Sequence, residues 1–217
     1  MAGPAQPLTS PRHLLAAIAL VIAFTIGVRW LGLHLLLPAL GGVVGGLAVM
    51  VVQFGLILWF GLVRLAGVRL RDVGWRLDGW RRQLAVGAAG FVALSIGLVA
   101  LLAPLGALDV AATARAIAAY APGQRVFFAA LGVQAALAEE TLFRGYLQGA
   151  LAHRVGVGAT VLATALVFAL SHLTLAPVRL LGLVWIGLVL GALRGGDRPL
   201  VAPAVAHALL WAVWGDA

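Results

Sequence analysis

Seven apolar runs follow one another along the chain, each bracketed by arginine, glycine or proline. They cover about 13–36, 40–63, 83–104, 125–145, 157–174, 178–194 and 199–214. A bilayer's hydrocarbon core takes roughly 20 apolar residues to cross as a helix. The pattern predicts an all-α fold, a polytopic transmembrane helical bundle of about seven membrane helices. The last three runs are short and are expected to tilt little or to sit partly inside the bundle. The stretch 105–124 carries Asp109 and Arg115 and reads as an exposed loop with an interfacial helix. "GGVVGG", Gly41 to Gly46, holds two overlapping Gly-x-x-x-Gly spacings, a pattern that lets helix backbones approach closely. No repeat or low-complexity segment interrupts the series. One integral membrane domain is the simplest organisation, with N-terminal helices and a connecting loop over 1–122 and a second helical portion over 123–214.

Composition sharpens this picture. The chain is 63% hydrophobic and 10% charged, whereas a soluble domain is about 45–50% apolar. It has no cysteine, which excludes disulfides and thiolate metal sites. Its net charge of +8 comes from fifteen arginines and no lysine. Those arginines lie between apolar runs, where they set topology and meet anionic headgroups, so no nucleic-acid partner is expected. With a cytoplasmic N terminus, eleven arginines fall on the inside and four, Arg29, Arg115, Arg125 and Arg179, on the outside. The positive-inside rule then favours that orientation, in a cell (plasma) membrane protein.

One run breaks the pattern. "LAEETLFRG", Leu137 to Gly145, holds the chain's two glutamates inside an apolar stretch. An ionised carboxylate at mid-bilayer costs about 2.5–3.5 kcal/mol on insertion scales. Glu140 has Arg144 four residues on, on the same helix face and in the favourable order. Glu139 has Phe143 there, so it is expected to be unpartnered and free to act. The following run ends in "FALSH". If the chain reverses near 155–156, Glu139 and His172 both lie about 24 Å from the turn and are level across an antiparallel pair. Phe168 shares the face of His172. Ser171 points about 100° away and reads as a serine bonded back to its own helix. The last run, "PAVAHALLW", puts His207 in mid-span, with Pro203 four residues earlier, expected to loosen the backbone there.

Glu139, His172 and His207 are thus expected to meet within apolar walls. A carboxylate and an imidazole can activate water, and a second imidazole can donate to the oxyanion formed when water adds to an amide. The same Glu-His-His set is an acceptable ligand set for one divalent metal such as zinc, with an open position. Metal-free and metal-assisted hydrolysis both stay open.

These residues resemble the CAAX protease and bacteriocin-processing family of intramembrane proteases, which includes CAAX prenyl protease 2 and the lysostaphin-resistance-protein-A-like group. The family pattern is Glu-Glu-x-x-x-Arg, then Phe-x-x-x-His, then His-x-x-x-Asn or Asp, on successive membrane helices. Here the first appears as Glu139, Glu140 and Arg144, followed by Gly145 and Tyr146, and the second as Phe168 and His172. The third begins at His207 but has Trp211 at its fourth position onward. The resemblance spans about 123–214 and implies a catalytic core there. By it, Glu139 with His172 would activate water, Glu140 would pair with Arg144, and His207 would help stabilise the oxyanion. Phe168 and Trp211 are candidate substrate contacts. The family is described both as metal-dependent and as glutamate-type, so the resemblance does not choose a chemistry. The chain has no asparagine to replace the missing one, and Asp216, nine residues past His207, lies on the opposite helix face. Indole N–H donates but cannot accept a hydrogen bond or bind metal.

The leading expectation is an intramembrane endopeptidase acting on a membrane-anchored peptide or protein tail at the bilayer. Two alternatives stand beside it. One is a non-catalytic immunity or scaffold protein that keeps the fold. The other is a small transporter or proton relay, which would call for internal pseudo-symmetry that the sequence lacks.

Overall fold

The computed structural model describes residues 8–215, and every element in it is helical. Helix α1 spans Pro11–Leu40, α2 spans 42–65, α3 Trp80–Leu102, α4 Val110–Ala119, α5 Pro122–Val155, α6 Val157–Leu170, α7 Pro177–Arg194 and α8 Val201–Trp214. All seven apolar runs are helices. By length and composition, four of them are able to cross a membrane: α1, α3, α5 and α7. Helices α6 and α8 are shorter, with 14 residues each. The expected interfacial helix in the 105–124 stretch is α4, capped by Asp109 Oδ1, which accepts from the Ala112 N–H at 2.8 Å. Asp216 lies outside the described residues.

Helix ends follow local chemistry. Proline opens α1, α5 and α7 at the position where its missing N–H has no intrahelical partner to lose. Gly156, at φ 80°, turns the chain between α5 and α6 where the sequence placed the reversal. Gly45, in the "GGVVGG" stretch, lies where a Cβ would sit 2.7 Å from the Leu37 Cα, so the close approach of α2 to α1 needs glycine there.

Two packing relationships position the site. Helix α8 lies between α3 and α5. Gly132 of α5 faces it so closely that a Cβ would come 2.6 Å from the Trp211 Cβ and 2.7 Å from the Ala208 carbonyl oxygen. On the other side of α5, helix α1 contributes Val21, Phe24 and Val28 to a buried cluster with Phe143, Tyr146 and Phe168. The Phe24 and Phe143 rings meet edge to face at 5.9 Å. The 66–79 loop folds back onto α5. Its Val73 is fully buried, and Trp75 Nε1–H donates to Thr141 Oγ1 at 2.7 Å.

Candidate active site

Regular α-helix ends at Glu139, and residues Glu140–Leu147 continue α5 in a wider π-helical winding. Such segments recur at functional sites. Glu140 is fully buried, and one of its oxygens, Oε1, accepts two bonds: from Arg144 Nη1 at 3.1 Å and from His207 Nδ1 at 2.7 Å. Both bonds are charge-assisted, the stronger kind of hydrogen bond. The Arg144 guanidinium also lies over the Phe168 ring, 4.2 Å from its centre, a cation–π contact in a dry setting. With Nδ1–H of His207 given to Glu140, its Nε2 is the nitrogen left for other chemistry.

His172 stands at a helix end. Helix α6 stops at Leu170, and Leu173 adopts φ 55°, the left-handed region that a branched side chain rarely occupies. The Phe168 carbonyl accepts from Ser171 Oγ–H at 2.8 Å and from His172 Nδ1–H at 2.8 Å. A carbonyl can only accept, so the Nδ1 of His172 carries the proton and Nε2 presents a lone pair. The Phe168 ring is the common wall of the cluster. It meets His172 at 4.7 Å, Phe143 at 5.3 Å and His207 at 6.4 Å, all edge to face.

Several sequence expectations need correction. Glu139 is not unpartnered: Arg29 Nη2 of α1 donates to its Oε1 at 2.8 Å. Neighbours along one helix could not reveal a partner 110 residues away. His207 bonds Glu140, not Glu139, although His172, His207 and Arg144 all lie within electrostatic reach of Glu139. Pro203 does not loosen a mid-helix backbone. It sits in the first turn of α8, where N–H groups lack intrahelical partners anyway. The run at 157–174 ends four residues early because of the left-handed turn at Leu173. Arg29, expected in an outside loop, lies within α1, and Arg144 and Arg194 are buried, so none of these three meets headgroups.

Arg29 is the site residue that the sequence reading missed. The signal for it was present: an arginine well inside a 30-residue apolar helix must find an acid or water.

Among the described residues no three histidine, aspartate or glutamate side chains are grouped to hold a metal. A guanidinium occupies one oxygen of Glu139, while the bonds at Nδ1 leave the Nε2 atoms of His172 and His207 available.

His172 and His207 line one cavity of about 200 Å³, with Phe168 and Trp211 on its wall and Arg179 and Leu183 of α7 beside them. Trp211 therefore borders the cavity that holds both histidines.

Residues 121–213 match the family described as Rce1-like, type II CAAX prenyl endopeptidase. No curated protein and no solved structure matches the chain.

Proposed function

We propose, from the match of residues 121–213 to the Rce1-like family of type II CAAX prenyl endopeptidases, that Glu139 and His172 activate water for peptide-bond hydrolysis while His207 stabilises the oxyanion. The observation that carries the proposal is the pair of imidazoles lining one cavity, each with Nδ1 committed to a fixed acceptor and both interacting electrostatically with Glu139. Fixing Nδ1 aims each Nε2 in one direction, the preorganisation that hydrolytic sites need.

The step runs as follows. Water gives a proton to Glu139 as its oxygen adds to the scissile carbonyl carbon, with His172 Nε2 accepting the second water hydrogen as a bond. The carbonyl oxygen becomes an oxyanion and takes a hydrogen bond from His207 Nε2–H in the protonated imidazole, whose charge is opposed by Glu140. The C–N bond then breaks, and the proton held by Glu139 passes to the leaving amine. Glu140 and Arg144 hold His207 and do not exchange protons with substrate. No step is routed through a metal.

The substrate is a membrane-associated peptide or protein tail, with apolar residues seated in the cavity against Phe168 and Trp211. We place the N terminus in the cytoplasm and the protein in the cell membrane. With the interior Arg29, Arg144 and Arg194 set aside, nine arginines remain on the N-terminal side against three on the other.

The test uses the full chain in proteoliposomes with two fluorogenic peptides, one farnesylated with a CAAX-type end and one anchored by an acyl chain. Cleavage of either, reduced at least ~100-fold by Glu139→Gln, is expected for loss of a general base. Cleavage that persists in Glu139→Gln, or no cleavage of either peptide by the parent, overturns the assignment and favours the scaffold alternative.

A further inference from the structure

The polar cluster on α5, α6 and α8 falls within the matched segment, but one charge at its centre does not. Arg29 lies in α1, far outside 121–213. It stands well inside a 30-residue apolar helix, where a charged side chain is costly unless it finds a partner. Its guanidinium turns inward, bonds Glu139 Oε1 at 2.8 Å and stacks 5.3 Å from the centre of the Phe24 ring. The pair is mostly shielded, with side-chain exposures of 16% and 10%. The helix that carries it is itself held in place, because Val21, Phe24 and Val28 are buried against α5 and α6.

Resting on the hydrolytic reading above, we infer that Arg29 is a positioning residue for Glu139, so that the active site is completed by an N-terminal helix outside the family segment. A glutamate has three rotatable side-chain bonds, and untethered it samples several rotamers. Engaging one oxygen with a guanidinium selects one of them and leaves the second oxygen free of Arg29. The guanidinium also supplies the counter-charge that a buried carboxylate needs. Arg144 of α5 adds a more distant positive charge, but the position one turn on from Glu139 is Phe143, which offers no hydrogen bond.

A second role for the same contact is purely architectural: Arg29 would pin α1 to the bundle and leave catalysis alone. The two are separated by Arg29→Met and Arg29→Lys in the full chain, assayed on whichever of the two peptides the parent cleaves. Positioning predicts that Arg29→Met lowers kcat roughly 30- to 100-fold with KM within about twofold, since displacing a catalytic group by about 1 Å can cost 10²-fold. Arg29→Lys keeps a cation and should recover at least about a tenth of the parental kcat. Wild-type kcat in Arg29→Met, beside a dead Glu139→Gln control, overturns the inference. So does Arg29→Lys performing no better than Arg29→Met. A parent that cleaves neither peptide fails the hydrolytic reading instead, and the contact is then judged without substrate. Unfolding midpoints of Arg29→Met, Glu139→Gln and the double variant should be non-additive, and strict additivity removes the tether.

Discussion

Glu140 and Arg144 make the sharpest stability prediction. Glu140→Gln keeps the shape and one acceptor oxygen but removes the charge. At 3.1 Å the Arg144–Glu140 attraction is about 5 kcal/mol with an effective dielectric near 20. Against it stands a desolvation penalty of several kcal/mol for each ion, so the pair's net contribution is small. The single variant removes the attraction and leaves the penalty on Arg144, which is 1% exposed. Breaking a buried pair in this way costs about 3–5 kcal/mol. Whole-domain stabilities are about 5–15 kcal/mol, so the loss is a large share. The double variant Glu140→Gln/Arg144→Met removes both charges and keeps an unbranched chain over the Phe168 ring. It should recover most of the loss, because a buried pair replaced by well-packed neutral groups is often neutral. The assay is reversible unfolding in mixed micelles, with SDS mole fraction as the denaturing variable. A single variant within ~1 kcal/mol of the parent would refute the reasoning. A double variant no better than the single would do the same.

Two further changes test the packing around the cavity. Gly132→Ala puts a carbon 2.6 Å from the Trp211 Cβ and should destabilise by about 1–3 kcal/mol, measured in the same micelles. It should also quench or shift Trp211 emission, read against a Trp211→Phe control. Gln148→Leu removes two buried bonds, Nε2–H to the Gly191 and Gly195 carbonyls at 3.0 and 2.9 Å. A loss of about 1–3 kcal/mol follows, and amide exchange near the end of α7 should accelerate.

The helical architecture was legible because lipid-facing sequence carries its own ruler. Apolar run length and glycine or proline at the ends located a helix in each of the seven runs, and the reversal at Gly156 needed no tertiary information. The Glu140–Arg144 pair was legible for a similar reason, being local to one helix face. The bonds from Arg29 to Glu139 and from His207 to Glu140 were not. Each joins residues far apart in the chain, and many acid–base pairings satisfy the same composition. The early end of α6 was hidden too. Nothing about leucine announces a left-handed backbone, and Leu173 adopts it only in its folded surroundings.

The brevity of α6 and α8 has a consequence for the lipid around them. At 14 residues each reaches about 21 Å, some 9 Å less than a typical hydrocarbon layer. Such mismatch is taken up by local thinning of the bilayer or by drawing headgroups inward, at fractions of a kcal/mol per ångström. In a bilayer, thinning of this kind would bring headgroups and hydration water nearer to His172, just past the end of α6, than a full-length helix would. A peptide held there, as the proposed hydrolysis requires, would have a short path to aqueous solvent without any parting of the helices.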